Sequence, residues 1–113
     1  MIQVYHYSFD AREPNDMLMP IMWSISQGDL ETIKEVWDNN VPEIAYLPVA
    51  FVDTESLDMA FTLTNHMDES WTKNARVDPL LTKVRSTSIG DILVKDNKKY
   101  VVSGVGFDEL VEV

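Results

Sequence analysis

The chain has no cysteine, which excludes disulfide staples, thiolate nucleophiles and cysteine-ligated zinc. Basic residues are also scarce: nine Lys and Arg stand against nineteen Asp and Glu, for a net charge of −10. The shortage is uneven. Residues 1–72 hold thirteen acids against Arg12 and Lys34, a balance of −11, whereas residues 73–113 hold six acids and seven bases, a balance of +1. The acidic half would repel phosphates, so direct binding of nucleic acid is not expected. No apolar run approaches the roughly 18 residues of a membrane span. The start, MIQVYHYSFD, lacks the basic segment and apolar stretch of a secretory signal. A cytoplasmic location without membrane attachment is therefore expected.

What is present describes a globular domain. The 113 residues are 45% hydrophobic and 25% charged, with three Trp, four Tyr and four Phe. That length can bury roughly two-thirds of its unfolded surface without metal or disulfide support, and it predicts one domain over 1–113. Ile2–Phe9 alternates, with Val4, His6 and Ser8 on one side and Gln3, Tyr5, Tyr7 and Phe9 on the other, as in a half-buried strand. Leu18, Ile21, Met22 and Ile25 predict a short helix whose first turn tolerates Pro20. Gly28 ends it and Asp29 caps a second helix, Asp29–Asn39, with Leu30, Ile33, Val36 and Trp37 on one face. Tyr46–Val52 is apolar on both faces and reads as an inner strand, although Pro48 argues for an edge or an irregular start.

Thr54 is placed to cap a third helix over Glu55–Met67, burying Leu57 and Phe61. Residues 70–83 read as an extended connection. Ile89–Val94 and Tyr100–Val105 read as strands around the turn Asp96-Asn97-Lys98. Ile92, Val94, Val101 and Val105 are expected to be buried, and Leu110, Val111 and Val113 to form a last short strand. The fold class is α+β: a mostly antiparallel sheet with helices packed on one face and a C-terminal β-hairpin.

Chemical motifs are sparse. His66, Asp68 and Glu69 carry metal-type donors but lack the spacing of a metal-binding helix, so no metal and no cofactor is assigned. Ser86, Thr87 and Ser88 stand in neither a G-x-S-x-G elbow nor an S-x-x-K pattern. Their hydroxyls suit a turn leading into a strand. Gly104-Val105-Gly106 is too short for a dinucleotide fingerprint. With nineteen acids, paired carboxylates arise by chance and single out no general acid and base, so no catalytic residue is assigned.

Asn65 in LTNHMD, Ser70-Trp71, Asn74, the run Arg85-Ser86-Thr87-Ser88-Ile89-Gly90-Asp91, Tyr100 and Gly106-Phe107 together resemble a group of small uncharacterised proteins of bacteriophages and plasmids. The shared pattern is approximately T-N…W-x-x-N…R-S-T-S-[VI]-G-D-[IV]…Y-x-V…G-F, and it covers residues 57–110. The final hairpin is similar to the YodL-like domain of mobile-element proteins. The resemblance implies a phage or mobile-element accessory role in host takeover or counter-defence, in the cytoplasm of the host cell.

The leading expectation is a non-enzymatic module for a protein partner, either basic or itself a nucleic-acid-binding protein. Its candidate surface gathers Asn65, Trp71, Asn74, Arg85, Ser86, Ser88 and Asp91. The competing reading is a small enzyme or nucleotide-binding protein in which Asn65, Arg85, Ser86, Ser88 and Asp91 line a polar pocket, with Arg85 holding a phosphate or carboxylate. Arg85 separates the two readings. Bound to its own turn it is scaffold; facing an open pocket it is a site.

Overall fold

In a computed structural model, residues 1–9, 18–41, 44–65, 76–80 and 84–111 are described. The elements are β1 (Ile2–Phe9), α1 (Leu18–Ser26), α2 (Leu30–Trp37), β2 (Ile44–Val52), α3 (Leu57–Leu63), β3 (Val77–Pro79), β4 (Ile92–Lys95), β5 (Lys98–Ser103) and β6 (Gly106–Glu109). All strand pairs are antiparallel, in the order β3-β2-β1-β4-β5-β6. The fold is α+β, as expected.

The helices, however, occupy both faces of the sheet rather than one. Ile25 of α1 and Ile33 and Val36 of α2 pack with Ile92 and Val101. Ala60 and Leu63 of α3 pack with Leu93 and Val102. Neighbouring residues of a strand point to opposite faces, so Ile92 and Leu93, like Val101 and Val102, serve two separate cores. Near-continuous apolar strands are the sequence mark of a sheet covered on both sides. β1 follows the expected alternation, with Ile2 and Val4 in the α3-side core and Tyr5 and Tyr7 against the α1–α2 core.

A single irregularity in β2 explains why that strand reads as apolar throughout. Val4 pairs with Ala50, but Tyr5 pairs with Pro48, leaving Val49 as an extra residue. An inserted residue reverses which side chains face which side. Ile44 and Tyr46 thus meet the α1–α2 core, while Val49, Ala50 and Val52 meet the α3 core. Pro48 falls at this bulge and outside the three residues that pair with β3, where its missing N–H costs little.

Local signals placed most helix and turn boundaries within two or three residues. Gly28, at φ +78°, terminates α1, and the Asp29 N–H bonds back to the Ser24 carbonyl, the closure that a left-handed glycine permits. The cap of α3 is Ser56, whose side chain accepts the Met59 N–H. Thr54 instead accepts the Ser56 N–H one turn earlier, so α3 begins two residues later than expected. The β4–β5 turn is only Asp96-Asn97, both at positive φ, as a type I′ hairpin requires, and Lys98 already belongs to β5.

β4 starts at Ile92, because residues 89–91 turn against α1. β5 ends at Ser103, so Gly104-Val105 forms the next turn and Val105 is fully exposed, not buried. The last described strand is β6, earlier than the one expected at Leu110, Val111 and Val113; Leu110 and Val111 follow it without strand structure, and Val113 lies outside the described residues. Val94, Leu57 and Phe61 are half-buried. The short strand β3 lies within the segment read as an extended connection. Among the described residues no helix is long and apolar enough to cross a membrane.

Candidate functional site

The run RSTSIGD crosses the sheet beside β1 and is held by one buried carboxylate. Asp91 is 0% exposed. Its Oδ1 accepts the Tyr7 N–H at 3.2 Å and its Oδ2 the Ser88 N–H at 2.7 Å. Arg85 meets it as a fork, Nη1 to Oδ2 at 2.6 Å and Nη2 to Oδ1 at 2.7 Å, the strongest common geometry for this pair. Arg85 Nη1 also donates to the Ser86 carbonyl at 3.1 Å and to Ser88 Oγ at 3.2 Å, and Nη2 donates to the Tyr7 carbonyl at 3.1 Å. The guanidinium lies over the Tyr7 ring, 4.6 Å from its centre. Burial works against the Arg85 charge, but the hydrogen bonds and charge of Asp91 outweigh it and raise the pKa.

Beneath this fork lies a second chain of polar groups whose directions can be assigned. Thr64 Oγ1 donates its one proton to the Ala60 carbonyl at 2.8 Å, because a carbonyl only accepts. Thr87 Oγ1 lies 2.8 Å from Thr64 Oγ1 and donates to it. Thr87 must then accept from His6 Nε2, 2.8 Å away. His6 is therefore a neutral donor on Nε2, not a base drawing a proton from Thr87. Burial lowers its pKa to about 4, against the opposing pull of Asp91. The Thr87 N–H also bonds to the Thr64 carbonyl, so this turn ties α3 to β1.

A pH dependence follows. Unfolded His6 gains a proton below its ordinary value of about 6.5, whereas folded His6 does so only near 4. Its contribution to stability is complete above about pH 6.5 and is lost as pH falls through about 4. By pH 5 the loss is expected to be on the order of 2 kcal/mol. Urea unfolding at pH 7 and pH 5 measures it, with His6→Gln showing a distinctly smaller loss. Equal losses in both proteins would refute the assignment.

The third support is Gly90, at φ +95°. A Cβ there would lie 2.8 Å from Ile25 Cγ2 and 3.0 Å from the Ile25 carbonyl carbon. The Gly90 carbonyl accepts the Tyr46 hydroxyl at 2.6 Å, while its N–H bonds to the Val102 carbonyl. Burial and then Asp91 push the Tyr46 pKa upward.

Of the residues singled out in the sequence, Arg85, Ser86, Ser88 and Asp91 do come together, bonded to one another. Asn65 lies just past the C-terminus of α3, its N–H directed to the Thr62 carbonyl. Trp71 and Asn74 lie outside the described residues, as do His66, Asp68, Glu69 and Ser70. The sequence reading missed His6, Tyr7, Tyr46 and Thr64 as parts of this assembly. Only the polar His6 within an apolar strand face could have signalled it. The depression beside Arg85, lined by His6, Tyr7, Ser8, Leu47, Val49 and Val84, is about 160 Å³, below the roughly 300 Å³ at which small-molecule pockets begin.

The remaining charge is at the surface. Every described carboxylate other than Asp91 is exposed. Lys34 pairs with Asp38 at 3.2 Å, Arg76 donates to the Asp53 carbonyl, and Lys99 lies over the Trp37 ring. The N-terminal amine pairs with Glu55.

Comparison with protein families, curated proteins and solved structures finds no match to this chain. Its chemistry rests on its own geometry. Arg85, the residue expected to hold an anion in the pocket reading, directs five described hydrogen bonds to its own chain.

Proposed function

We propose that this chain is a small acidic accessory protein of phage or mobile-element type that acts by binding a basic protein, without catalysis. The observation that carries the reading is the placement of charge: the described carboxylates lie at the surface, apart from Asp91, while Arg85, Lys34 and Arg76 are engaged within the chain. Such a surface steers a positively charged partner and repels phosphates. The resemblance of residues 57–110 to phage and plasmid proteins supports the accessory role, in a host cytoplasm. The fork between Arg85 and Asp91 favours this reading over an anion pocket, since the donors that would hold a phosphate already have acceptors.

The test is quantitative capture of partners from bacterial lysate by the immobilised protein, compared with Asp58→Asn/Asp108→Asn/Glu109→Gln and with an unrelated protein of equal negative charge. A discrete set of basic proteins enriched on wild type and reduced on the variant is expected. An enrichment pattern identical to that of the unrelated acidic protein would overturn the reading. Duplex DNA and RNA should give no gel shift with low-micromolar protein at about 0.15 M salt.

A further inference from the structure

β6 is the terminal strand of the sheet, and among the described residues nothing pairs with its outer side. The Leu110 N–H bonds to the Lys99 carbonyl, and Tyr100 and Val101 pair with Glu109 and Asp108. Bonding alternates along an antiparallel strand. Asp108 therefore directs its backbone groups to β5, and Phe107 and Glu109 direct theirs outward. Beside this edge, on the α3 face, runs a groove of about 410 Å³ lined by Asp58, Phe61, Ile89, Val102, Val105 and Phe107. Phe61 and Phe107 meet edge to face at 6.4 Å. Val105 is 100% exposed and Ile89 36% exposed, so two large apolar side chains border the groove without being covered.

We infer that β6 accepts an extended segment of a basic partner as a seventh strand, with the partner's apolar side chains in the groove beside Phe107, its alternating Lys or Arg residues on the opposite face against Asp108, and flanking basic residues against Asp58 and Glu109. Strand addition supplies main-chain bonds, and alternate side chains supply specificity. The charge on the edge selects the occupant. A second copy paired antiparallel through β6 would bring the Asp108 and Glu109 carboxylates of both chains together, and like charges on paired strands are destabilising. Acidic side chains on an edge strand guard it against self-pairing. The guard is specific in sign: it repels another copy of this chain and attracts a basic strand. This inference rests on the basic-partner reading above and gives it a location.

The test is selection of ten-residue peptides from a random displayed library against the full chain. The expected peptides alternate apolar residues with Lys or Arg and lack central proline. Their binding should add hydrogen-exchange protection at the Phe107 and Glu109 amides of the wild-type protein. Glu109→Pro removes an outward-facing amide without breaking the β5–β6 ladder, and should weaken these peptides at least tenfold. Glu109→Gln, which keeps the amide, should weaken them only about threefold. Peptides that bind Glu109→Pro as tightly as wild type, that leave both amides unprotected, or that fail to converge in sequence would overturn the inference. Lysate partners captured equally by wild type and Glu109→Pro would leave the binding reading standing and remove strand addition alone. Convergent peptides without any lysate partner would do the reverse.

Discussion

Asp91→Ala is expected to cost about 3–5 kcal/mol of folding stability. The substitution strands the Tyr7 and Ser88 N–H groups and leaves Arg85 without the carboxylate it forks. No other described acceptor stands ready to replace a group that is 0% exposed. Arg85→Ala should cost less, about 1–3 kcal/mol, because the Arg85 side chain is 40% exposed and water can reach part of the space it leaves. Arg85→Lys should not restore the loss, since an ammonium cannot make the two-pronged contact. Urea unfolding followed by tryptophan fluorescence gives all three values, and the double variant should lose less than the sum of the single ones. A melting temperature unmoved by Arg85→Ala would mean that the fork is not structural, and would return Arg85 to the list of interface residues.

Gly90→Ala should be comparably severe, at least about 3 kcal/mol, although it adds one methyl group. Two independent costs coincide there. The backbone stands at φ +95°, which side-chain-bearing residues rarely adopt, and the new Cβ would press on both the backbone and the side chain of Ile25 in α1. Relief would require α1 to move off the sheet, opening the core around Ile25 and Ile92, or the turn at Gly90 to shift, breaking the Tyr46 hydroxyl bond to its carbonyl. Gly106→Ala is the comparison. It has φ +152° but nothing within 4 Å of the added atom, so it should cost far less. Equal thermal shifts for the two variants would show that backbone strain, not the approach of α1, governs the site.

Local physics made much of the architecture legible from the residues themselves. Alternation in Ile2–Phe9, the helical spacing of Ile33 and Val36, the positive-φ residues Gly28, Asp96 and Asn97, and the position of Asp29 all act within a few neighbours. They defined β1, α1, α2 and the β4–β5 hairpin. The charge imbalance was equally plain, since it needs no fold. The second covered face was marked only by the consecutive apolar pairs Ile92-Leu93 and Val101-Val102, and which helix covers each face is decided by packing that no local pattern shows. The bulge at Val49, which reverses the faces of β2, depends on its pairing with β1. Tertiary structure alone decided the meaning of RSTSIGD. Its hydroxyls and its arginine have the composition of a binding site, but Asp91 is buried against Tyr7 and Thr87 reaches Thr64 and His6 across 23 and 81 residues of sequence. Hydrogen-bond partners that far apart leave no periodic trace, so the sequence determined which groups were available and the fold determined that they bind one another.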